Sequence, residues 1–165
     1  MRRRALLATA AAVSTTSLAG CPTPPWGEIP ETIDGAEVTF RREHTGEFDP
    51  GDSDAFDAAE LRRELDREPP RLLVRGRTMG GVQDCYRVSL IEATRSADLL
   101  SIRIAIEKRP LITACNDAAE SHPYEVAVAF TEPPVPERVE VRHGEDTVLA
   151  ETVSVTRDLG SRVHK

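Results

Sequence analysis

Lysine is nearly missing from this chain of 165 residues, with only Lys108 and Lys165 present. The 21 basic residues are therefore almost all arginine, and they face 28 Asp and Glu. That deficit of positive charge excludes the broad basic face that nucleic acid requires. It also disfavours a surface of anionic headgroups. Aromatics are scarce too: one Trp, two Tyr and four Phe. Aliphatic residues must fill the core. No apolar run reaches the roughly 20 residues that a bilayer core demands. Gly-x-Ser-x-Gly, a Gly-rich phosphate loop and His-Glu-x-x-His are all lacking, which removes the common signatures of serine hydrolases, nucleotide binders and zinc peptidases. The four histidines, His44, His122, His143 and His164, are scattered. The chain is read as a non-enzyme with no catalytic residue, no cofactor and no metal.

What is present begins at the N-terminus. Arg2, Arg3 and Arg4 precede the small, mildly apolar run Ala5 to Gly20, and Leu18-Ala19-Gly20-Cys21 closes it. A basic start, an apolar middle and small residues at a cut site make a signal peptide over residues 1–20. Leu18, Ala19 and Gly20 ahead of Cys21 resemble the lipobox of prokaryotic lipoproteins. The resemblance implies that Cys21 becomes the first mature residue and carries lipid on its sulfur. The protein would then sit on the extracytoplasmic face of the membrane, held through that lipid. Arg3-Arg4-Ala5-Leu6-Leu7 resembles a twin-arginine export motif, so export by that route is expected.

Cleavage after Gly20 removes three arginines and no acid. The mature chain keeps 18 basic against 28 acidic residues, a net charge of −10. An acid-rich, lysine-poor balance resembles proteins of salt-loving archaea. In molar salt the Debye length shrinks to about 3 Å, so any partner must be read by shape and short-range contacts.

With Cys21 lipidated, Cys85 and Cys115 are an even pair in an exported chain, and a disulfide is expected between them. A metal site formed by Cys85, Cys115, His122 and His143 is the alternative. Its spacing lacks both the C-x₂-C and the H-x₃₋₅-H pair that zinc sites favour.

Residues 21–32 hold four prolines and read as a semi-rigid stalk carrying Trp26, which suits either the lipid interface or the domain surface. Residues 33–158 read as one domain, and 159–165 as a flexible tail. Ala36–Arg41 alternates apolar and polar residues, as a half-buried strand does. Asp54–Arg67 is expected as a helix, capped by Ser53, with Ala58, Leu61 and Leu65 on one stripe and Glu68-Pro69-Pro70 as its stop. The neighbouring acids Asp49, Asp52, Asp54 and Asp57 invite a calcium loop. Phe56, Asp57 and Arg63 stand where that loop needs an oxygen ligand, a glycine and a glutamate. The local arginines 62, 63, 67, 71, 75 and 77 read mainly as salt-bridge partners of nearby acids.

Strands are expected at 71–77, 85–93, 99–107, 124–130, 139–142 and 147–155, with Thr78–Gly81 as a turn. Leu100, Ile102, Ile104 and Ile106 mark the central core. His143 shares parity with Val139 and Val141, which puts it at the inner rim of a strand end. Seven short strands without an alternating βα pattern indicate an antiparallel sandwich. The order of Gly80-Gly81, Cys85-Tyr86, the hairpin to Ile106, Cys115, Tyr124-Glu125-Val126 and Val139 to His143 resembles a group of uncharacterised haloarchaeal lipoproteins. The resemblance implies an immunoglobulin-like β-sandwich with the two cysteines similarly placed, and the helix at 54–67 would be an insertion. It transfers no catalytic residue. The expected role is a non-enzymatic binding or envelope module. A ligand- or metal-capturing lipoprotein is the alternative, and an enzyme or enzyme inhibitor follows behind it.

Overall fold

Leu100, Ile102 and Ile104 alternate with Ser101, Arg103 and Ala105, and all three aliphatic side chains are fully buried. This period of two sets the whole architecture. A computed structural model of the chain describes residues 29–49 and 56–153, and these form nine strands. They are β1 (Ile29–Ile33), β2 (Ala36–Arg41), β3 (Ala58–Glu64), β4 (Arg71–Gly81), β5 (Tyr86–Arg95), β6 (Leu99–Lys108), β7 (Ala119–Phe130), β8 (Arg138–His143) and β9 (Asp146–Thr152).

One sheet has the order β1-β2-β7-β4-β3, with every pair antiparallel. The other has the order β5-β6-β8-β9. Val38 and Phe40 of β2, Val74 of β4 and Val126 of β7 meet Leu100, Ile102, Val139 and Val141 of the second sheet in one aliphatic core. The fold is therefore mainly β and sandwich-like. It departs from an all-antiparallel sandwich at one pair, since β6 and β8 run parallel. The intervening β7 belongs to the other sheet, so the chain re-enters beside β6 in the same direction.

The helix expected over 54–67 is absent among the described residues. Ala58–Glu64 is instead the edge strand β3, in continuous register with Arg71–Arg77. The spacing of Ala58, Leu61 and Leu65 suits a helix. In the strand, however, Ala59 and Leu61 meet the core while Glu60 and Arg62 pair on the outer side. Partners on β4 outweigh local propensity.

Thr78–Gly81 is likewise no turn but the end of the 11-residue strand β4. A side chain on Gly80 would strike Ile106, and one on Gly81 would strike the Tyr86 ring. These glycines give way to large neighbours rather than reversing the chain. The first strand starts at Ile29, inside the segment read as stalk, and Pro30 falls on a sheet edge, where proline is tolerated.

Candidate functional site

Strand β7, strand β8 and the segment before β3 converge on a chain of three polar side chains. Tyr124 of β7 is paired in register with Gly76 of β4. A Cβ at Gly76 would overlap the phenol, so the glycine is what lets the ring lie across β4. The Tyr124 hydroxyl is 2.7 Å from Nε2 of His143. Nδ1 of His143 is 3.2 Å from Oδ1 of Asp57, which also accepts from the Met79 backbone N–H at 3.2 Å. An ionised carboxylate can only accept, so Nδ1 carries the proton and donates to Asp57. Nε2 then accepts from the Tyr124 O–H.

Burial lowers the pKa of His143, against the opposing pull of its hydrogen bond to Asp57 and that residue's charge. The imidazole is neutral at pH 7. Burial first, and the Asp57 charge second, hold the Tyr124 phenol far above its ordinary value. Burial works to raise Asp57, but hydrogen bonds from Thr78, His143 and Met79 outweigh it and leave the carboxyl below its usual range. All three groups are thus fixed in one protonation pattern.

Asp57, His143 and Asp146 line a half-open cleft of about 360 Å³, with Thr78, Ile104 and Val148. The residue types suggest a nucleophile, a base and an orienting acid. Accessibility removes that role: Tyr124 is 0% exposed, so no reacting atom can reach its oxygen. The chain of bonds instead ties the two sheets and the start of β3 together.

Cys85 and Cys115 are joined in a disulfide with Cα atoms 6.0 Å apart. The four-ligand metal arrangement is thereby overturned, because its two sulfurs bond each other. His122 contacts the Gly81 carbonyl through Nε2 at 2.7 Å and lines a different cleft from His143. Among the described residues no three of His, Cys, Asp and Glu converge as a metal site would need. In the acidic stretch, Asp49 uses its backbone N–H on Glu60 and Asp57 serves His143, while Asp52 and Asp54 lie outside the described residues. Arg3, Arg4, Leu18, Ala19, Gly20, Cys21 and the tail 159–165 also lie outside them. The arginine group pairs with acids: Arg62 with Glu60, Arg63 with Glu151, Arg67 and Arg71 with Glu64, and Arg75 with Glu125. Arg77 stacks 5.8 Å from the centre of the Phe48 ring.

Sequence reasoning places His143 correctly at an inner rim but finds it no carboxylate. Asp57 is 86 residues away. The single local signal is the parity of His143 with Val139 and Val141, and nothing local points to Asp57 or Tyr124 as its partners.

Comparison with protein-family models, with curated proteins and with solved structures finds no match.

Proposed function

We propose that this is a lipid-anchored extracytoplasmic protein, a non-enzymatic binding or envelope module with an immunoglobulin-like sandwich. The observation that carries the reading is the Cys85–Cys115 disulfide, which closes a separation of 30 residues. Such bonds persist in oxidising compartments. The pairing also sets Cys21 apart as the third cysteine, directly behind Leu18-Ala19-Gly20. Two facing sheets around one core support the immunoglobulin-like reading. The inaccessibility of Tyr124 supports a role without catalysis. The acid-rich, lysine-poor composition supports a salt-rich setting, and the Arg3-Arg4 pair supports twin-arginine export.

The test is the intact mass of the protein extracted from native membranes, with and without thiol reduction, beside a Cys21→Ser variant. The reading expects a chain starting at Cys21 plus lipid, gaining about two hydrogens on reduction. It expects the variant to leave the membrane fraction. An unprocessed chain starting at Met1, with free thiols, overturns it.

A further inference from the structure

Four large apolar side chains are exposed among the described residues: Phe56, Ile91, Leu111 and Ile112. Scattered singly, such residues carry no message. Three of these four lie at one end of the sandwich. Ile29 pairs with Phe40, Phe40 with Val126, Val126 with Val74 and Val74 with Leu61, which makes one row across the five-stranded sheet. From that row β7 runs back to Ala119, β4 runs on to Gly81 and β3 runs back to Ala58. Phe56 and the connection of residues 109–118 are therefore on the side from which the chain enters at Ile29. Ile91 lies inside β5 and is the exception.

Leu111 is 98% exposed and has a φ of 67°, a left-handed backbone that a bulky residue rarely adopts. The loop around it is tied at both ends to one residue. The Arg109 N–H donates to the Cys85 carbonyl at 2.7 Å, and Cys115 is bonded to the Cys85 sulfur. Residues 110–114 project between these ties, with the exposed Leu111 and Ile112 next to each other. An aliphatic pair on a loop fixed in this way has little further ordering to undergo when it is covered. Lys108 and Arg109 precede the pair, and Asp117 and Glu120 follow it, so the loop is balanced in charge. What it offers a partner is apolar area.

The length of chain ahead of β1 identifies that partner. Residues 22–28 alone separate Cys21 from Ile29. Even fully extended, they place Cys21 at most roughly 28 Å from Ile29. Strand β7 carries the base of the loop roughly 24 Å past the row of Ile29 on the same side. Tethered this closely, the domain presents this end to the bilayer. We propose that Leu111 and Ile112, joined by Phe56, insert into the lipid interface of the membrane that holds Cys21. One lipid chain alone gives reversible attachment, and a second contact makes it firm. Headgroup charge is not what the loop reads. In molar salt such charge is screened within about 3 Å, whereas apolar burial keeps its strength. The proposal rests on the lipid-anchor reading, because the tether decides which end faces the bilayer.

The experiment is tryptophan quenching on the full chain in phosphatidylcholine vesicles with brominated acyl chains. Trp26 is the one native tryptophan, so each probe carries Trp26→Phe. The loop probe adds Leu111→Trp, and the control adds Asp66→Trp in the exposed β3–β4 connection at the far end. Quenching of the loop probe is expected to exceed that of the control at least about threefold, as insertion about 5–10 Å into the interface requires. In phosphatidylcholine nanodiscs, a spin label on the acyl chains should broaden the wild-type amide signals of residues 111 and 112 before that of residue 66, a readout that needs no variant to fold. The intact mass of each vesicle sample reports the lipid on Cys21. Equal quenching of the two probes with that lipid present overturns the loop contact and leaves the anchor standing. Strong quenching of the loop probe without the lipid keeps the contact and overturns the anchor. A loop probe shielded from aqueous iodide in native membranes, yet unquenched in the vesicles, overturns the proposal in favour of a protein partner.

Discussion

Tyr124 and His143 stand on strands of opposite sheets and share a 2.7 Å hydrogen bond through the middle of the sandwich. Their rings also meet edge to face, 5.4 Å apart. A polar bond of this kind in an aliphatic core is worth more when intact than its net energy suggests. Removing one member leaves the other buried and unsatisfied, at about 1–3 kcal/mol. Tyr124→Phe should therefore lower the unfolding free energy by about 1–2 kcal/mol in urea titration. A change below about 0.3 kcal/mol would mean that water replaces the hydroxyl.

The same bond makes acid sensitivity predictable. The folded pKa of His143 lies below its unfolded value of 6.5, with burial as the leading cause. As pH falls below 6.5, the unfolded chain binds a proton that the folded one refuses, so stability declines. Glu125 and Asp57 behave in the other usual way. Burial opposes their ionisation, but hydrogen bonds lower them from 4.5 and 3.8, so their support persists above those values and fades below. Urea midpoints measured from pH 7 to pH 3 should fall in two stages. His143→Gln should flatten the stage above pH 5 and keep the lower one. An unchanged slope between pH 7 and 5 in that variant would assign the first stage to another group.

Gly76 is the test of why Tyr124 fits at all. Gly76→Ala would place a methyl on the phenol, and the ring is held by its bond to His143. The expected loss is about 2 kcal/mol, within the range for overpacked cores. Glycine-to-alanine in a strand would otherwise be mildly favourable, so even the sign is informative. A stabilised variant would show that the ring has room to shift.

These three residues mark the limit of what is legible in the chain. Strands with clean alternation, such as Leu100 to Ile106 and Val139 to His143, declare both their type and their buried face. The Cys85–Cys115 bond is legible once the lipobox resemblance sets Cys21 aside, which leaves one even pair. Ala58–Glu64 misleads, because apolar residues three and four apart fit a helix and only the register with Arg71–Arg77 decides otherwise. Gly80 and Gly81 read as a turn because a sequence cannot show Ile106 and Tyr86 pressing on them. Asp57, Tyr124 and His143 are far apart in the chain, and the topology alone brings them together.

Arg75 and Glu125 form a buried ion pair on the outer side of the five-stranded sheet, Nε to Oε2 at 2.8 Å, with side chains only 6% and 5% exposed. Residues of the segment after β2 close over it: the Thr45 N–H donates to Glu125, and Arg75 donates to the Glu47 carbonyl. Glu125→Gln keeps the shape and removes the nearer carboxylate from the guanidinium, leaving only Glu60 at 3.8 Å. A loss of about 3 kcal/mol is expected, as for other buried pairs with one partner removed. Replacing both residues, Arg75→Met with Glu125→Leu, should recover most of it. Chemical denaturation of the two variants measures this. A double variant as unstable as the single one would mean that the pair is needed to hold the Thr45 segment, not only to satisfy itself.

The disulfide supports the fold through the unfolded chain. A closed loop of about 30 residues restricts the denatured ensemble by roughly 3–4 kcal/mol in the chain-entropy model. For a domain of this size that is a drop in Tm of roughly 10 °C. Thermal melts of the Cys85→Ser, Cys115→Ser double variant measure this. The variant should melt earlier by about that amount. An unchanged Tm would mean that the unfolded chain is already restricted without the bond.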